Sequence, residues 1–395
     1  MNAELESQVA IDLLEKVHEL EPLIRETSER AEEERKVSSP VIGALRDAGF
    51  FRMCVPKALG GLEIDLPSSY RIFEALANVD SAVGWAVPNA NGPSMAGGAL
   101  HPDAAQEIFG DPMTIAAGSP FPLGRAIEVE GGYRVSGTIS FVSGCDFSNW
   151  IAGSTLVLDD GKPRMKGDKP LVVRCLYKAE DLEVTGNWNT LGMRGTGSHD
   201  VIVDDVFVPR SHTHELGPIT NPNPPFDGRL YQCGPIAGTP FVTVVCLSSA
   251  RNALVEALDL AARKTPAFAP ATVGDRPVAQ SQLAQARAKL DAARAYLFSS
   301  IDRLWESVAQ GQAPTQEHKV DLQLAGSFGT QAAAEAMELI RGVTGTSAIQ
   351  GALSFERYHR DIATLTQHAF TSASRFESVG KLMVNRPTDW AFLLY

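Results

Sequence analysis

The spacing of hydrophobic residues changes along the chain, and its first part has the period of α-helices. The residues of the first stripe recur three and four positions apart, and they are Val9, Leu13, Val17, Leu20 and Ile24. This spacing puts them on one face of a helix. Pro22 predicts a kink in that helix or the start of a second one. Ser39 and Pro40 predict the N-cap and first position of a further helix that stops at Gly49.

From about Met113 the hydrophobic period falls to two, as in β-strands. In AIEVEGGYRVSGTISF the alternating residues surround a Gly131-Gly132 turn, which predicts a hairpin. They are Ile127, Val129, Tyr133, Val135, Ile139 and Phe141. Further strands are predicted in NWIAGSTLVLD, PLVVRCLY and HDVIVDDVFVP, and residues 219–228, ITNPNPPFDG, have the composition of a linker. The result is a mainly antiparallel β region.

The helical period then returns and continues to the end of the chain. One row predicts a long bundle helix: Leu283, Ala286, Leu290, Ala293, Leu297 and Leu304. A second predicts the inward face of a helix from about Glu317: Val320, Leu324, Phe328, Ala332, Ala336 and Leu339. We therefore predict an α+β protein with a helical domain at 1–112, a β domain at 113–222 and a helical bundle at 223–395.

Composition supports an ordinary globular protein and excludes some partners. Of the 395 residues, 44% are hydrophobic and 21% are charged, so packed cores are expected. The net charge of −12 disfavours nucleic acid and anionic membrane as partners, because both require a basic face. Half of this excess lies in the first 36 residues, where eleven Asp and Glu accompany five Lys and Arg.

Cysteine usage and the N-terminus indicate a reducing cytoplasm. The five cysteines form no CxxC pair, and their odd number predicts neither a zinc site nor a disulfide framework. His212 and His214 lack a third ligand nearby, so no metal is expected. The N-terminus has acidic residues where a signal peptide has basic ones, and no apolar run approaches the about 18 residues of a membrane span.

The usual motifs of several enzyme classes are absent from the chain. It has no GxGxxG, GxxxxGK[ST], HExxH or GxSxG, so nicotinamide binding on a Rossmann fold, NTP hydrolysis, zinc proteolysis and α/β-hydrolase chemistry lack support. The GMRGTG string at 192–197 has the wrong glycine spacing for a nucleotide loop and is better explained as a turn.

Three strings resemble the flavin-dependent acyl-CoA dehydrogenase superfamily. They are LRDAGFFRMCVPKALGG, WNTLGMRGTGSHDVIVDDVFVP and the late Arg360-Asp361 pair. The resemblance covers nearly the whole chain. It implies an N-terminal helical domain, a central β-barrel or sandwich, a C-terminal four-helix bundle, a flavin at their junction and a homotetramer.

Two chemistries compete within that superfamily. A dehydrogenase commonly places a glutamate a few residues after the Arg-Asp pair as the base that removes a proton from an acyl-CoA. Here that region reads RDIATLTQHAFTSASR and has no acid from Ile362 to Arg375. The dehydrogenase remains an alternative, with Glu256 or Asp259 on an earlier helix as the base. A catalytically silent scaffold is a third hypothesis.

The other branch, the oxygenase components of two-component flavin monooxygenases, is more similar in detail. In that branch a late His follows the Arg-Asp pair, as His368 does, and a string like SFVSGCDFSNW supplies Phe141 and Ser143 next to the flavin, with Ser143 near N5. The helix around Trp85 also resembles this branch, which implies a flavin contact at Trp85. Some phenol hydroxylases of the branch have a further His before that Ser, whereas AAGSPFPLGRA has none, which argues against a simple phenol.

The resemblance implies a mechanism and a set of partners. Reduced flavin, FMNH2 or FADH2, arrives from a separate NAD(P)H-dependent reductase and reacts with O2 to a C4a-hydroperoxide that hydroxylates a small phenolic or indolic substrate. Neutral His368 is expected to accept a proton from the substrate. Further flavin contacts are expected at Arg263, Arg276, Gly342 and Gly345, with the two glycines approaching from a neighbouring subunit.

Overall fold

The computed structural model describes residues 7–95, 97–215, 223, 226–351 and 353–394. The α-helices in these ranges are α1 Gln8–Glu34, α2 Ser39–Asp47, α3 Leu66–Val79, α4 Ser81–Met95, α5 Pro102–Phe109, α6 Phe241–Arg263, α7 Pro277–Ala309, α8 Gln316–Thr344, α9 Phe355–Leu365 and α10 Ser374–Met383. The strands are β1 Ala116–Val129, β2 Gly132–Val142, β3 Trp150–Asp159, β4 Lys162–Pro163, β5 Met165–Lys166, β6 Lys169–Pro170, β7 Val172–Lys178, β8 Glu183–Val184, β9 His199–Pro209 and β10 Thr213–Glu215.

The chain forms two compact units. The first consists of Met1–Ile72, Trp85–Asn189 and Arg194–Gly234, and the second of Phe73–Gly84, Thr190–Met193 and Pro235–Tyr395. Compactness groups most of the N-terminal helical region with the sheet, because one buried cluster joins Phe109 of α5 to Trp150 and Leu176 of the sheet. Residues Phe73–Gly84, from α3 and the start of α4, group with the bundle instead. The division into three domains stays a prediction. Most of the predicted linker at 219–228 lies outside the described residues.

The N-terminal helices differ from the predicted ones in detail. Helix α1 continues through Pro22, because buried residues on both sides of it, Val17 and Ile24 among them, hold one face against the unit. The N-cap of α2 is Ser38, one residue before the predicted Ser39. Pro40 is tolerated there because the first-turn N–H groups of a helix have no intrahelical partner.

The central sheet has the strand order β10-β7-β3-β1-β2-β9-β8. Its pairs are antiparallel apart from β1 with β3, so the prediction of a mainly antiparallel region is confirmed. Strands β7 and β9 are not neighbours in this order, yet they contact each other. The sheet therefore folds over its own core, which contains Tyr133, Val157, Cys175 and Val203.

The predicted hairpin forms, but its turn is one residue earlier than predicted. Val129 pairs with Gly132, which leaves Glu130 and Gly131 as the two-residue loop. Gly131 has a φ of +79°, a conformation that favours glycine in such turns. At Gly132 a Cβ atom would lie 2.1 Å from the carbonyl oxygen of Val208 on β9. Each glycine is required, but for a different reason.

The second unit contains a helical bundle in which α6, α7, α8 and α9 pack together. The predicted α7 row is confirmed, since all six of its residues are buried. The predicted face of α8 was partly wrong: Phe328 is 43% exposed, whereas Leu322 and Ile340 are fully buried. Among the described residues, one helical stretch, Pro235–Arg263, is long and apolar enough to span a membrane by length and composition alone. Within its apolar 18-residue window 72% is buried, as in the core helix of a bundle.

The Arg-Asp pair has a structural role in this unit. The carboxylate of Asp361 is buried and accepts hydrogen bonds from the Ser81 hydroxyl at 2.6 Å and the Met193 backbone N–H at 2.6 Å. Arg360 forms an ion pair with Glu356 and donates to the Leu191 carbonyl at 2.9 Å. The pair thus fixes the 190–193 segment on α9.

Candidate functional site

The end of strand β2 is irregular, and this irregularity positions Ser143. The pairing of β2 with β9 shifts register between Ile139 and Val142. Within this bulge Phe141 has a φ of +61°, and its side chain is 66% exposed. Bulges of this kind redirect side chains at sheet ends. Ser143 follows directly and points into the protein, with 7% of its surface exposed.

Ser143 belongs to a chain of buried polar groups, all in the first unit. The indole N–H of Trp85 donates to Ser143 Oγ at 2.9 Å. Ser143 Oγ lies 2.7 Å from Ser198 Oγ, which lies 2.7 Å from Thr196 Oγ1. We call these four residues the hydroxyl chain. The sequence predicted Trp85 and Ser143 as separate flavin neighbours, and the structure joins them directly.

Backbone contacts hold the two loops of the hydroxyl chain together. Gly144 N–H donates to the Thr196 carbonyl at 3.3 Å, and Cys145 Sγ lies 3.5 Å from the Gly197 carbonyl. Burial raises the pKa of Cys145 to about 12, so this thiol stays protonated at neutral pH. This agrees with its interpretation as a packing residue.

An aromatic surface lies beside Ser143. The rings of Phe141 and Trp188 meet edge to face at 6.2 Å. The Trp188 backbone N–H donates to Nδ1 of buried His199 at 2.8 Å, and His199 Nε2 lies 3.4 Å from an Asp146 oxygen. The His199–Asp146 pair therefore fixes the segment that bears Trp188. Sequence reasoning missed this pair, because no motif connects residues that are 53 positions apart.

In the second unit, His368 lies in the turn between α9 and α10, not on a helix. Its Nδ1 accepts the Phe370 backbone N–H at 3.2 Å. A neutral imidazole whose Nδ1 is an acceptor carries its proton on Nε2, so Nε2 is a donor. Burial lowers the pKa of His368 to about 4. The sequence predicts that His368 accepts a proton from the substrate, and doing so at Nε2 would require the other tautomer and the loss of the Phe370 bond.

Aromatic rings surround this imidazole. Phe370 lies 4.8 Å and Phe241 6.5 Å from it between ring centroids, both edge to face. Phe370 also packs against Phe392 at 5.1 Å and Trp390 at 6.2 Å. We call His368 and these four rings the aromatic turn. The sequence analysis missed the rings, although the C-terminal WAFLLY was a visible aromatic cluster.

A polar clamp keeps the aromatic turn in place. The Gln323 side chain donates to the Phe370 carbonyl at 2.8 Å and accepts from the Trp390 indole N–H at 2.8 Å. Gln323 lies on α8 and is buried, so both bonds are shielded from water. The guanidinium of Arg375 stacks on the other side of the turn, 4.1 Å from the Trp390 ring centroid.

The four remaining predicted flavin contacts lie near one end of the bundle. Arg263 ends α6 and pairs with Asp259, while Arg276 is the N-cap of α7 and is exposed. A Cβ atom on Gly342 would meet the side chain of Gln282 on α7 at 2.9 Å, and Gly345, with a φ of +56°, is the C-cap of α8. Capping thus explains Gly345, whereas a Cβ atom on Gly342 would meet the end of the flexible Gln282 side chain, which can move.

These four residues are far from the aromatic turn along α6. Phe241 begins that helix and Arg263 ends it, so about 33 Å of helix separates them at about 1.5 Å per residue. A small ligand bound at one end of α6 does not reach the other end. The two sets of predicted residues in this unit therefore do not form one small pocket within a single chain.

The two candidate dehydrogenase bases are both engaged. Glu256 accepts a hydrogen bond from the Tyr358 hydroxyl at 2.9 Å. Asp259 is on the surface, with 61% of its side chain exposed, and pairs with Arg263. A catalytic carboxylate base is usually enclosed in a buried site, and the exposed Asp259 lacks that environment.

The corner around Ser143 fits a flavin ring. The flavin has flat apolar faces and a polar edge with nitrogen and carbonyl groups. Phe141 and Trp188 supply aromatic surface, and Ser143 supplies a hydroxyl next to it. A hydroxyl has one donor and two acceptor positions, and the Trp85 and Ser198 bonds use two of the three. One hydrogen-bonding position of Ser143 remains for the ring edge.

Comparison with protein families finds two domains along the chain. The model described as acyl-CoA dehydrogenase, N-terminal domain, matches residues 14–101, and the one described as acyl-CoA dehydrogenase, C-terminal domain, matches residues 242–373. The first match covers the N-terminal helices, and the second covers the bundle up to the turn that contains His368.

Individual proteins match over nearly the whole length. An indole-3-acetate monooxygenase of Pseudomonas putida is 31% identical over 89% of this chain and 88% of its own. An FADH2-dependent resorcinol hydroxylase, oxygenase component, of a Rhizobium species is 26% identical over 91% and 92%. The solved structure of XiaF from a Streptomyces species, in complex with FADH2 and glycerol, has the same fold, with a TM-score of 0.88, 22% identity and coverage of 97% of each chain.

Proposed function

The chain belongs to the acyl-CoA dehydrogenase family, and we propose that it is the oxygenase component of a two-component flavin-dependent monooxygenase. The proposed reaction hydroxylates a small aromatic substrate, phenolic or indolic. One oxygen atom of O2 enters the substrate, the other leaves as water, and the reduced flavin is oxidised. The names of the relatives, indole-3-acetate monooxygenase and resorcinol hydroxylase among them, support this substrate class.

The observation that carries the proposal is the composition of the aromatic turn. After the Arg360-Asp361 pair the chain presents an imidazole among aromatic rings, and the sequence has no carboxylate from Ile362 to Arg375. This segment therefore has no carboxylate side chain that could remove an α-proton from an acyl-CoA. An aromatic substrate, in contrast, packs well against aromatic rings in edge-to-face geometry.

Reduced flavin supplies the two electrons that activate O2 when it is bound. Ser143 would hold the polar edge of the flavin, and Phe141 and Trp188 would cover part of its ring. Phe241 and Phe370 would exclude water from the imidazole of His368. His368 would orient the substrate by donating a hydrogen bond from Nε2, in place of the proton-accepting role expected from the sequence.

Several further properties are proposed from the family and the composition. A separate NAD(P)H-dependent reductase would supply the reduced flavin, FMNH2 or FADH2, and the term oxygenase component in a relative's name supports a separate partner. We also propose a homotetramer in the cytoplasm, in which Arg263 and Arg276 contact flavin and Gly342 and Gly345 approach it from a neighbouring subunit. The net charge of −12 supports the absence of nucleic acid and membrane partners.

The test supplies the enzyme with chemically reduced FMN or FAD, O2 and a panel of phenols and indoles, without any nicotinamide. We expect a hydroxylated product from at least one member of the panel. A parallel assay offers oxidised flavin, an electron-accepting dye and acyl-CoA thioesters. Dye reduction by an acyl-CoA without hydroxylation would replace the proposal with the dehydrogenase. Absence of flavin binding in both redox states would support the silent scaffold.

A further inference from the structure

The hydroxyl chain has a property that a single hydroxyl lacks. Its three hydroxyl residues, Ser143, Ser198 and Thr196, each have one proton to donate, and both of their mutual contacts are 2.7 Å. The geometry allows either atom of each contact to be the donor. The indole of Trp85 differs, because an indole nitrogen only donates. Trp85 therefore always occupies one acceptor position of Ser143.

Two proton arrangements preserve every bond of the chain. In the first, Ser143 donates to Ser198 and Ser198 donates to Thr196. In the second, both directions are reversed, so Thr196 donates to Ser198 and Ser198 donates to Ser143. No heavy atom moves between the two arrangements. Both contacts between the hydroxyls keep one donor and one acceptor in each arrangement, so reversal of their direction breaks neither of them.

The two arrangements present opposite chemistry at Ser143. In the first, the Ser143 oxygen accepts from Trp85 and donates to Ser198, so it has one lone pair left for an external N–H. In the second, the oxygen accepts from both neighbours, so its O–H proton is left for an external acceptor. Ser143 thus changes from an acceptor to a donor without losing an internal bond.

A flavin presents the same pair of states at N5. Reduced flavin has an N5–H donor, whereas N5 of oxidised flavin is an acceptor. We propose that Ser198 and Thr196 are positioning residues that reverse the hydroxyl chain, so that Ser143 accepts from N5–H of reduced flavin and donates to N5 of oxidised flavin. This inference rests on the proposed function, because it requires the flavin edge to face Ser143.

The affinities for reduced and for oxidised flavin should depend unequally on Ser198. When reduced flavin is bound, the Ser143 proton has to point to Ser198. In Ser198→Ala that proton is buried without an acceptor, because Ser143 is only 7% exposed. When oxidised flavin is bound, the proton points to N5, and the loss of Ser198 removes only one donor to an oxygen that still accepts from Trp85. Reduced flavin should therefore lose more affinity than oxidised flavin.

The experiment measures dissociation constants of reduced and oxidised flavin for the full-length protein by anaerobic titration, together with the midpoint potential of bound flavin. For Ser198→Ala we expect the dissociation constant of reduced flavin to rise about tenfold relative to that of oxidised flavin, as for an unpaired buried donor. A tenfold change in the ratio of the two dissociation constants makes the midpoint potential of bound flavin about 30 mV more negative than in the wild type, for a two-electron couple. Thr196→Val should shift the ratio in the same direction by less.

Ser148→Ala is the matched control. Ser148 is a buried serine in the same loop, and its hydroxyl donates to the Gly144 carbonyl at 2.9 Å, outside the hydroxyl chain. Ser148→Ala should leave the ratio of the dissociation constants of reduced and oxidised flavin unchanged. Ser198→Thr, which retains a hydroxyl, should have the wild-type ratio. Equal weakening of both redox states in Ser198→Ala, or no change in either, overturns the inference. If the wild-type protein binds neither state, the proposed function fails as well, so the two failures are distinguishable.

Discussion

The corner around Ser143 and the turn around His368 differ in how their buried polar groups hold their protons. At Ser143, three hydroxyls and an indole N–H form a row in which the direction of the protons is free to reverse. At His368, the Phe370 N–H fixes the proton on Nε2, and burial among aromatic rings keeps the imidazole neutral. One region has an adjustable polarity, and the other has a fixed polarity.

This difference indicates how the protein divides its tasks. A group that contacts a cofactor in two redox states benefits from a polarity that changes with the cofactor. A group that orients one type of substrate benefits from a single donor in an apolar enclosure, where a hydrogen bond is stronger than in water. We therefore expect changes at the two regions to have separable effects on flavin affinity and on substrate hydroxylation.

The largest effect is expected for Phe370→Ala, which breaks the enclosure of His368. Removing a buried phenylalanine that packs against several rings costs about 3–5 kcal/mol of the free energy of unfolding. Urea unfolding measures this loss. Phe268→Ala, at a fully exposed ring, is the control and should change the free energy of unfolding by less than about 0.5 kcal/mol. Similar losses in both variants would show that the aromatic turn is not packed as described.

The next effect is expected for His368→Ala, which leaves the rings in place and removes the Nε2–H donor. We expect the hydroxylated product per flavin oxidised to fall by about tenfold, the value of one hydrogen bond to a polar substrate atom. The affinity for reduced flavin should not change. If flavin affinity falls as strongly as product yield, the two regions are not separable.

The pH profile of product yield distinguishes a donor from a base at His368. Its pKa is lowered to about 4, so the imidazole is neutral throughout pH 5.5 to 8.5 and yield should be flat over that range. As pH falls below about 6.5, the ordinary pKa of histidine, the unfolded chain binds a proton at His368 before the folded protein does. This group therefore lowers the free energy of unfolding progressively between that pH and about 4. A yield that rises steeply between pH 6 and 7, and loses this rise in His368→Ala, would restore the role of a base.

The smallest effect is expected for Glu256→Gln. The amide oxygen of Gln still accepts the Tyr358 hydroxyl, so packing should be unchanged. We expect wild-type hydroxylation and no acyl-CoA oxidation in either protein. An acyl-CoA dehydrogenase activity in the wild type that Glu256→Gln abolishes would reassign the chemistry to the earlier helix.

The elements of the fold and the buried face of α7 were largely predictable from the sequence, whereas the buried face of α8 was not. The α7 row is one narrow stripe of Leu and Ala, and the structure confirms all six of its residues. Helix α8 has buried residues at 14 of its 29 positions, including the consecutive Ala325, Gly326 and Ser327, so its hydrophobic pattern does not identify one face, and Phe328 was assigned inward wrongly. The turn was predicted one residue too late, at Gly131-Gly132, because the backbone requires a glycine at both positions although only Gly131 lies in the loop.

The candidate site was less accessible to sequence reasoning, for a physical reason. Ser143 and His368 were found only through family resemblance. The partners that determine their chemistry are distant in sequence or lie in the backbone: Trp85 and Ser198 are 58 and 55 residues from Ser143, and the tautomer of His368 depends on the Phe370 N–H. Such contacts follow from tertiary packing, and no local pattern encodes them.

The most direct test of the account is the fate of labelled oxygen. The enzyme is mixed with reduced flavin, ¹⁸O2 and the aromatic substrate that the panel identifies, and the product is analysed by mass spectrometry. The account predicts one ¹⁸O atom in each hydroxylated product, and no product when either reduced flavin or O2 is omitted. A product that takes its oxygen from water, or no hydroxylation accompanied by oxidation of an acyl-CoA, would contradict it.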